Sequence, residues 1–103
     1  MEIRVHAACA RAAALADHAR RRLLYVLRSR QHQVEHVEVH LGDTRSRRGL
    51  QEGYCKVRLR LAQAGVTTVV DVAKDLHDAI DRAVDRAGRL AMEHLRGAQP
   101  AMA

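Results

Sequence analysis

The chain of 103 residues has no phenylalanine and no tryptophan, and Tyr25 and Tyr54 are its only tyrosines. Its core must therefore be aliphatic, and its many alanines call for close packing of helix on sheet. The same scarcity argues against single-strand reading by an aromatic sheet. Cys9 and Cys55 are too few for a disulfide framework and form no CxxC pair. No apolar run approaches the ~18 residues of a membrane span, and the opening MEIRVH contains an acid and no apolar signal run. Glycine-rich phosphate loops, HExxH and GxSxG are absent as well. The expectation is a cytoplasmic, non-enzymatic chain with no cofactor, no small-molecule substrate and no membrane contact.

What the chain has in quantity is arginine. The formal charge is +6, and 16 of the 18 basic residues are Arg. Residues 1–60 hold 13 Lys/Arg and 6 Asp/Glu, whereas residues 61–103 hold 5 and 6. The basic field thus belongs to the first half. Guanidinium forks suit phosphate oxygens, so a polyanion is the first partner to expect.

The clearest element is Asp75 to Arg96. Leu76, Ile80, Ala83, Val84, Ala87, Leu90, Ala91 and Leu95 share one sector of a helical wheel. Arg82, Arg86, Arg89 and Arg96 form a second sector, and Asp78, Asp81 and Asp85 a third. Asp75 is placed to cap the first turn, with Asp78 as the acid of a capping-box-like pair. The spacing also suggests surface pairs Asp78–Arg82 and Asp85–Arg89. Gly97, Gln99 and Pro100 end the pattern, giving one domain over residues 1–97 and a frayed tail over 98–103.

Upstream, residues 2–6 alternate as a short strand, with Ile3 and Val5 on one face. A helical pattern runs from about Ala12 to Leu27 without a polar cap, burying Ala12, Leu15, Ala16, Ala19, Leu23 and Val26. Arg20, Arg21, Arg22 and Arg28 occupy its remaining surface, and Tyr25 lies at the edge of the apolar sector. There Tyr25 is a packing residue or a platform for a base. Residues 35–41 alternate again, and Gly42-Asp43 ends that strand. Residues 43–53 read as a polar link, mobile when free, carrying Arg45, Arg47 and Arg48.

Residues 54–62 form the clearest strand, pointing Cys55, Val57, Leu59 and Leu61 inward and Lys56, Arg58 and Arg60 outward. Residues 66–72 make a β-branched fourth strand. Either Val66, Val70 and Val72 or Thr67 and Val69 face its core; the alternation leaves both registers open. The order is β-α-β-β-β-α, an α+β domain with two helices on one face of a four-stranded sheet.

Seven histidines raise a metal question. His36 and His40 lie on a strand, where a spacing of four does not converge as it does on a helix. His6 joins them only if the first two strands pair. Exposed strand histidines are the expectation, and no metal site is expected. His94 falls in the core sector of its helix, as a hydrogen-bonded boundary residue.

Several segments together resemble the ribosome hibernation-promoting factor and ribosome-associated inhibitor family, also described as sigma-54 modulation proteins. The strongest is Asp75-Leu76-His77-Asp78-Ala79-Ile80-Asp81, followed by Val84, Asp85 and Arg89. MEIRVH, the helix Leu15 to Leu27, VEHVEVHLGD and YCKVRLRL are similar in order and spacing, so the likeness spans about residues 1–96. It implies a domain like those that bind double-stranded RNA. It implies binding of 16S-type ribosomal RNA in the decoding and messenger channel of the small subunit, in free subunits and 70S ribosomes. Members block translation during stress or stationary phase by steric occupation. Arg22, Arg28, Arg82, Arg86 and Arg89 are the carried-over RNA contacts, and Arg20, Arg21, Arg45, Arg47, Arg48 and Arg96 are further candidates. The chain departs from the family in having Ala12 where a Ser or Thr cap is usual, and arginines where lysines are common. It is also expected to lack the C-terminal dimerisation domain of long members. The alternative is a small regulatory module of the same fold that binds another protein by its sheet face or a strand edge.

Overall fold

The structure, a computed structural model, describes residues 1–98. Its elements are β1 (Glu2–Ala7), α1 (Ala10–Ala13), α2 (Ala16–Val26), a single 3₁₀ turn (Gln31–Gln33), β2 (Val34–Arg45), β3 (Gln51–Leu61), β4 (Gly65–Ala73) and α3 (Leu76–Ala98). One four-stranded sheet has the order β1-β2-β3-β4. β1 runs parallel to β2, while β2–β3 and β3–β4 are antiparallel. This is the α+β arrangement that the alternation and helical periods predict. The expected tail over 98–103 begins with the last residue of α3, and the rest of it lies outside the described residues.

Three boundaries differ from the sequence reading. The first helix is two pieces, because Leu15 leaves the helical region (φ −103°, ψ 4°) and its N–H bonds back to Ala12. The alanine-rich start is helical from Ala10 with no side-chain cap. Secondly, β2 does not stop at Gly42-Asp43. It continues to Arg45, and the supposed link is a hairpin arm whose strands pair from Gly42↔Tyr54 to Arg45↔Gln51. Its tip is closed by Ser46, which exchanges backbone bonds with Gly49 and Leu50 and accepts the Leu50 N–H on Oγ. Gly49 supplies the positive φ of 77° that the tip requires. Thirdly, α3 runs on to Ala98.

The open register of the fourth strand is resolved. Thr67, Val69 and Ala73 face the core, and Val66, Val70 and Val72 are exposed. Pairing sets this choice: Val69 stands opposite Val57 and Thr67 opposite Leu59, on the buried side of β3. Thr67 Oγ1 meets His94 Nδ1, so each satisfies the other at the core boundary.

The aliphatic core fills the space between sheet and helices. Val37, Val39, Leu41, Val57 and Leu59 rise from the sheet, and Leu23, Leu27, Ile80 and Val84 come down from α2 and α3. Leu15 and Val26 are only partly buried. Asp75 caps α3 as the sequence suggests, its Oδ1 accepting the His77 N–H at 2.9 Å. A reciprocal bond from Asp78 is not found among the described residues. Gly53 lets the start of α3 sit on β3, since a Cβ there would lie 2.6 Å from Leu76 Cα. Gly88 similarly admits Val26 between the helices.

Candidate nucleic-acid interface

The two long helices lie side by side and run in the same direction. His18 meets Asp81, Arg22 meets Asp81 and Asp85, and Val26 meets Gly88, so contacts advance together along both helices. The seam is polar at one end. Arg22 donates to Asp85 Oδ1 at 2.6 Å, and its Nε lies 3.5 Å from Asp81. The surface pairs expected within α3 give way to this arrangement. Asp85 pairs with Arg22 instead of Arg89, and no Asp78–Arg82 ion pair occurs among the described residues. The cross-helix partner is within reach because α2 and α3 lie side by side, which sets the Arg22 guanidinium against Asp85 at 2.6 Å.

The candidate arginines thus divide by what they touch. Arg82, Arg89 and Arg96 are exposed on α3 and hold no hydrogen bond or ion pair among the described residues. Arg86, on the same helix, turns to the sheet edge. It donates to the Val70 carbonyl at 2.6 Å and lies 3.8 Å from Asp71. On α2, Arg21 is exposed, Arg20 donates to the Ile3 carbonyl, and Arg22 is taken by the seam. Arg28 sits over the Tyr25 ring at 4.2 Å and donates to the Tyr25 carbonyl. Tyr25 is 60% exposed, so it covers no core, and its ring is paired with a cation.

Arg45, Arg47 and Arg48 sit on the arm. Past Leu41 β2 has no β1 partner, and before Gly53 β3 has no β4 partner, so the arm projects beyond the sheet. Asp43 anchors its base, accepting from Arg11, from Gln51 at 3.2 Å and from the Cys9 thiol. Arg45 donates to the Gly49 carbonyl across the tip. Arg47 and Arg48, with Lys74 and the exposed Leu50, line a shallow depression beside the start of α3. The three arginine sets are therefore distributed over the arm, α2 and α3, with the acidic seam between the helices.

The sheet's other face is open and charged. Arg4, Glu38 and Arg58 are successive cross-strand neighbours, as are Glu2, His36 and Arg60, and then His6, His40 and Lys56. Parallel pairing of β1 with β2 brings His6 and His40 into a stack with ring centres 4.6 Å apart. His36 bonds to the Glu38 carboxylate and holds its pKa below the usual range, with smaller contributions from His36, His6 and His40 charges. A second histidine grouping, His18 and His77 with Asp81, is not apparent from spacing across the chain. Its readable part was the i, i+4 step from His77 to Asp81 on α3.

The chain shares this fold with solved structures. A ribosomal subunit interface protein from Coxiella burnetii superposes with a TM-score of 0.75, covering 93% of this chain and 99% of that one at 9% sequence identity. The N-terminal domain of Protein Y from Thermus thermophilus gives 0.62, covering 89% and 93% at 20% identity. No protein-family model and no curated protein sequence matches the chain. The class defined is an α+β domain with the fold of those two solved structures, matched nearly end to end. No helix among the described residues is long and apolar enough to cross a membrane.

Proposed function

We propose that this chain is a ribosome-binding factor of the hibernation-promoting type. It occupies the decoding and messenger channel of the small subunit through 16S-type ribosomal RNA and blocks translation during stress or stationary phase. The observation that carries the reading is the row Arg82, Arg89 and Arg96, exposed and uncommitted, on a fold shared over nearly its full length with a ribosomal subunit interface protein. The action is steric. Guanidinium groups bind backbone phosphates in bidentate fashion, no bond is made or broken, and no cofactor takes part. The chain works in the cytoplasm, where ribosomes are. Arg21 extends the contact along α2, and Arg47 and Arg48 extend it along the arm. Arg20, Arg22, Arg28, Arg45 and Arg86 already hold protein partners and act mainly by positioning these elements.

The test is co-sedimentation with purified 30S and 70S particles across a salt series, comparing wild type with the double variant Arg82→Ala, Arg89→Ala. The expected result is saturable binding near one per particle, weakened by salt and by the variant. No binding even at low salt overturns the proposal. That outcome favours a second reading, a protein-interaction module, which draws on Val66, Val70 and Val72 exposed along edge strand β4. A stoichiometric protein complex insensitive to salt is its signature.

A further inference from the structure

His18 on α2 and His77 and Asp81 on α3 converge at the seam, and neither RNA contact nor the core uses them. Their donor atoms all lie within 4.8 Å of one another. His18 Nε2 is 2.7 Å from Asp81 Oδ1, and His77 Nδ1 is 3.4 Å from Asp81 Oδ2. The two imidazoles are stacked, ring centres 4.0 Å apart and planes 24° from parallel, and both contact the Asp81 carboxylate; each nitrogen lone pair lies in its ring plane, so one ring turns about its side-chain bonds to bring both onto one ion. Zinc holds imidazole nitrogen and carboxylate oxygen at about 2.0–2.1 Å in a tetrahedron, which puts its donors roughly 3.3 Å apart. The His77–Asp81 separation matches that spacing, and the shorter His18–Asp81 contact is a hydrogen bond that an ion would replace.

The surrounding charge suits a cation. Asp81, Asp85 and Arg22 face the site, and with both imidazoles neutral they sum to −1. Arg22 is held by Asp85 at 2.6 Å, while its Nε, buried at the seam, forms no hydrogen bond with Asp81. Arg22 therefore meets Asp81 only as an ion-pair neighbour at 3.5 Å, and the side-chain hydrogen bond at Asp81 comes from His18, a member of the site itself. Side-chain exposures of 21%, 34% and 47% for His18, Asp81 and His77 leave one side open to water for a further ligand.

We infer that His18, His77 and Asp81 form a site for a borderline divalent cation, zinc in the first instance, that ties α2 to α3. The ion adds a cross-link between helices that otherwise meet through small residues and ion pairs. The inference uses no residue of the proposed free arginine row, and its test involves no ribosome, so either can fail alone.

The experiment is titration of zinc chloride into the tag-free, chelator-stripped full chain, followed by calorimetry and by thermal unfolding. His77→Asn and His18→Asn remove ligands, and His40→Asn, from the other stacked pair, is the control. The expected result is one zinc per chain, with affinity falling at least about tenfold in each ligand variant and unchanged in His40→Asn. Zinc raises the unfolding temperature of wild type and of the control, and leaves His77→Asn unmoved. His77 is exposed, so its variant carries the test even where His18→Asn disturbs packing. Absence of saturable one-to-one binding overturns the inference. So does binding that His77→Asn leaves intact, or that His40→Asn reduces equally.

Discussion

Cys55 lies in the core on β3, opposite Asp71 on β4, and burial, with help from the Asp71 charge, pushes its thiol up to about 12. The unfolded chain releases that proton near the ordinary thiol value of about 8.5. Between the two values the folded state binds more protons than the unfolded state, so stability is full below the lower one and falls as pH rises. Urea midpoints at about pH 8 and about pH 10 should therefore decline in wild type and decline less in Cys55→Ala. With a disulfide reagent at neutral pH, the partly exposed Cys9 should react in the native protein and Cys55 only on unfolding. Gly53 offers a second residue-scale test. A Cβ there meets Leu76 backbone, which cannot swing aside, so Gly53→Ala should cost about 1–3 kcal/mol in denaturant unfolding. At Gly42 the obstacle is the Tyr54 side chain at 2.7 Å, so Gly42→Ala should cost less. Neither glycine's role is visible in sequence, because the crowding atoms come from residues 23 and 12 positions away.

At the scale of elements, α3 was the most legible part of the chain. Its apolar stripe, its Asp75 cap and its arginine sector all appear as a helical period reads them. Asp75→Ala should lower stability by about 1 kcal/mol, seen as a lower urea midpoint with unchanged slope. The wheel could not show what each sector faces. Arg82 and Arg86 are four apart in one sector, yet the first meets solvent and the second binds the Val70 carbonyl on β4. Arg22 reads as one more surface arginine until α3 is laid beside it. Removing it leaves Asp81 and Asp85 without their shared cation, so Arg22→Ala should destabilise by about 1 kcal/mol, a figure that reflects partial exposure of the pair. Arg82→Ala should stay within about 0.5 kcal/mol of wild type. Measuring stability and ribosome affinity on both variants separates the positioning arginine from the binding one.

Over the whole molecule, the arm is the feature that sequence most understated. Its polar, glycine-containing composition reads as a link, yet paired strands carry it past the sheet. Because its tip lies outside the core, Arg47→Ala with Arg48→Ala should leave unfolding stability within about 0.5 kcal/mol. The same variant should flatten the salt dependence of ribosome co-sedimentation, since each lost phosphate contact lowers the slope by about 0.7–0.9. An unchanged slope would place the arm away from RNA. Sequence by itself determined the β-α-β-β-β-α order of the main elements, the buried face of the clearest strand and the capped, amphipathic last helix. It also set the basic excess of the first half. These follow from local backbone periods of two and 3.6 residues, which each segment carries in its own side chains. Only the tertiary structure decided the register of β4, the arm, the commitment of Arg22 and Arg86 to protein partners, and the meeting of His18 with His77. Each depends on which surfaces pack together, and neither periodicity nor composition encodes that pairing directly.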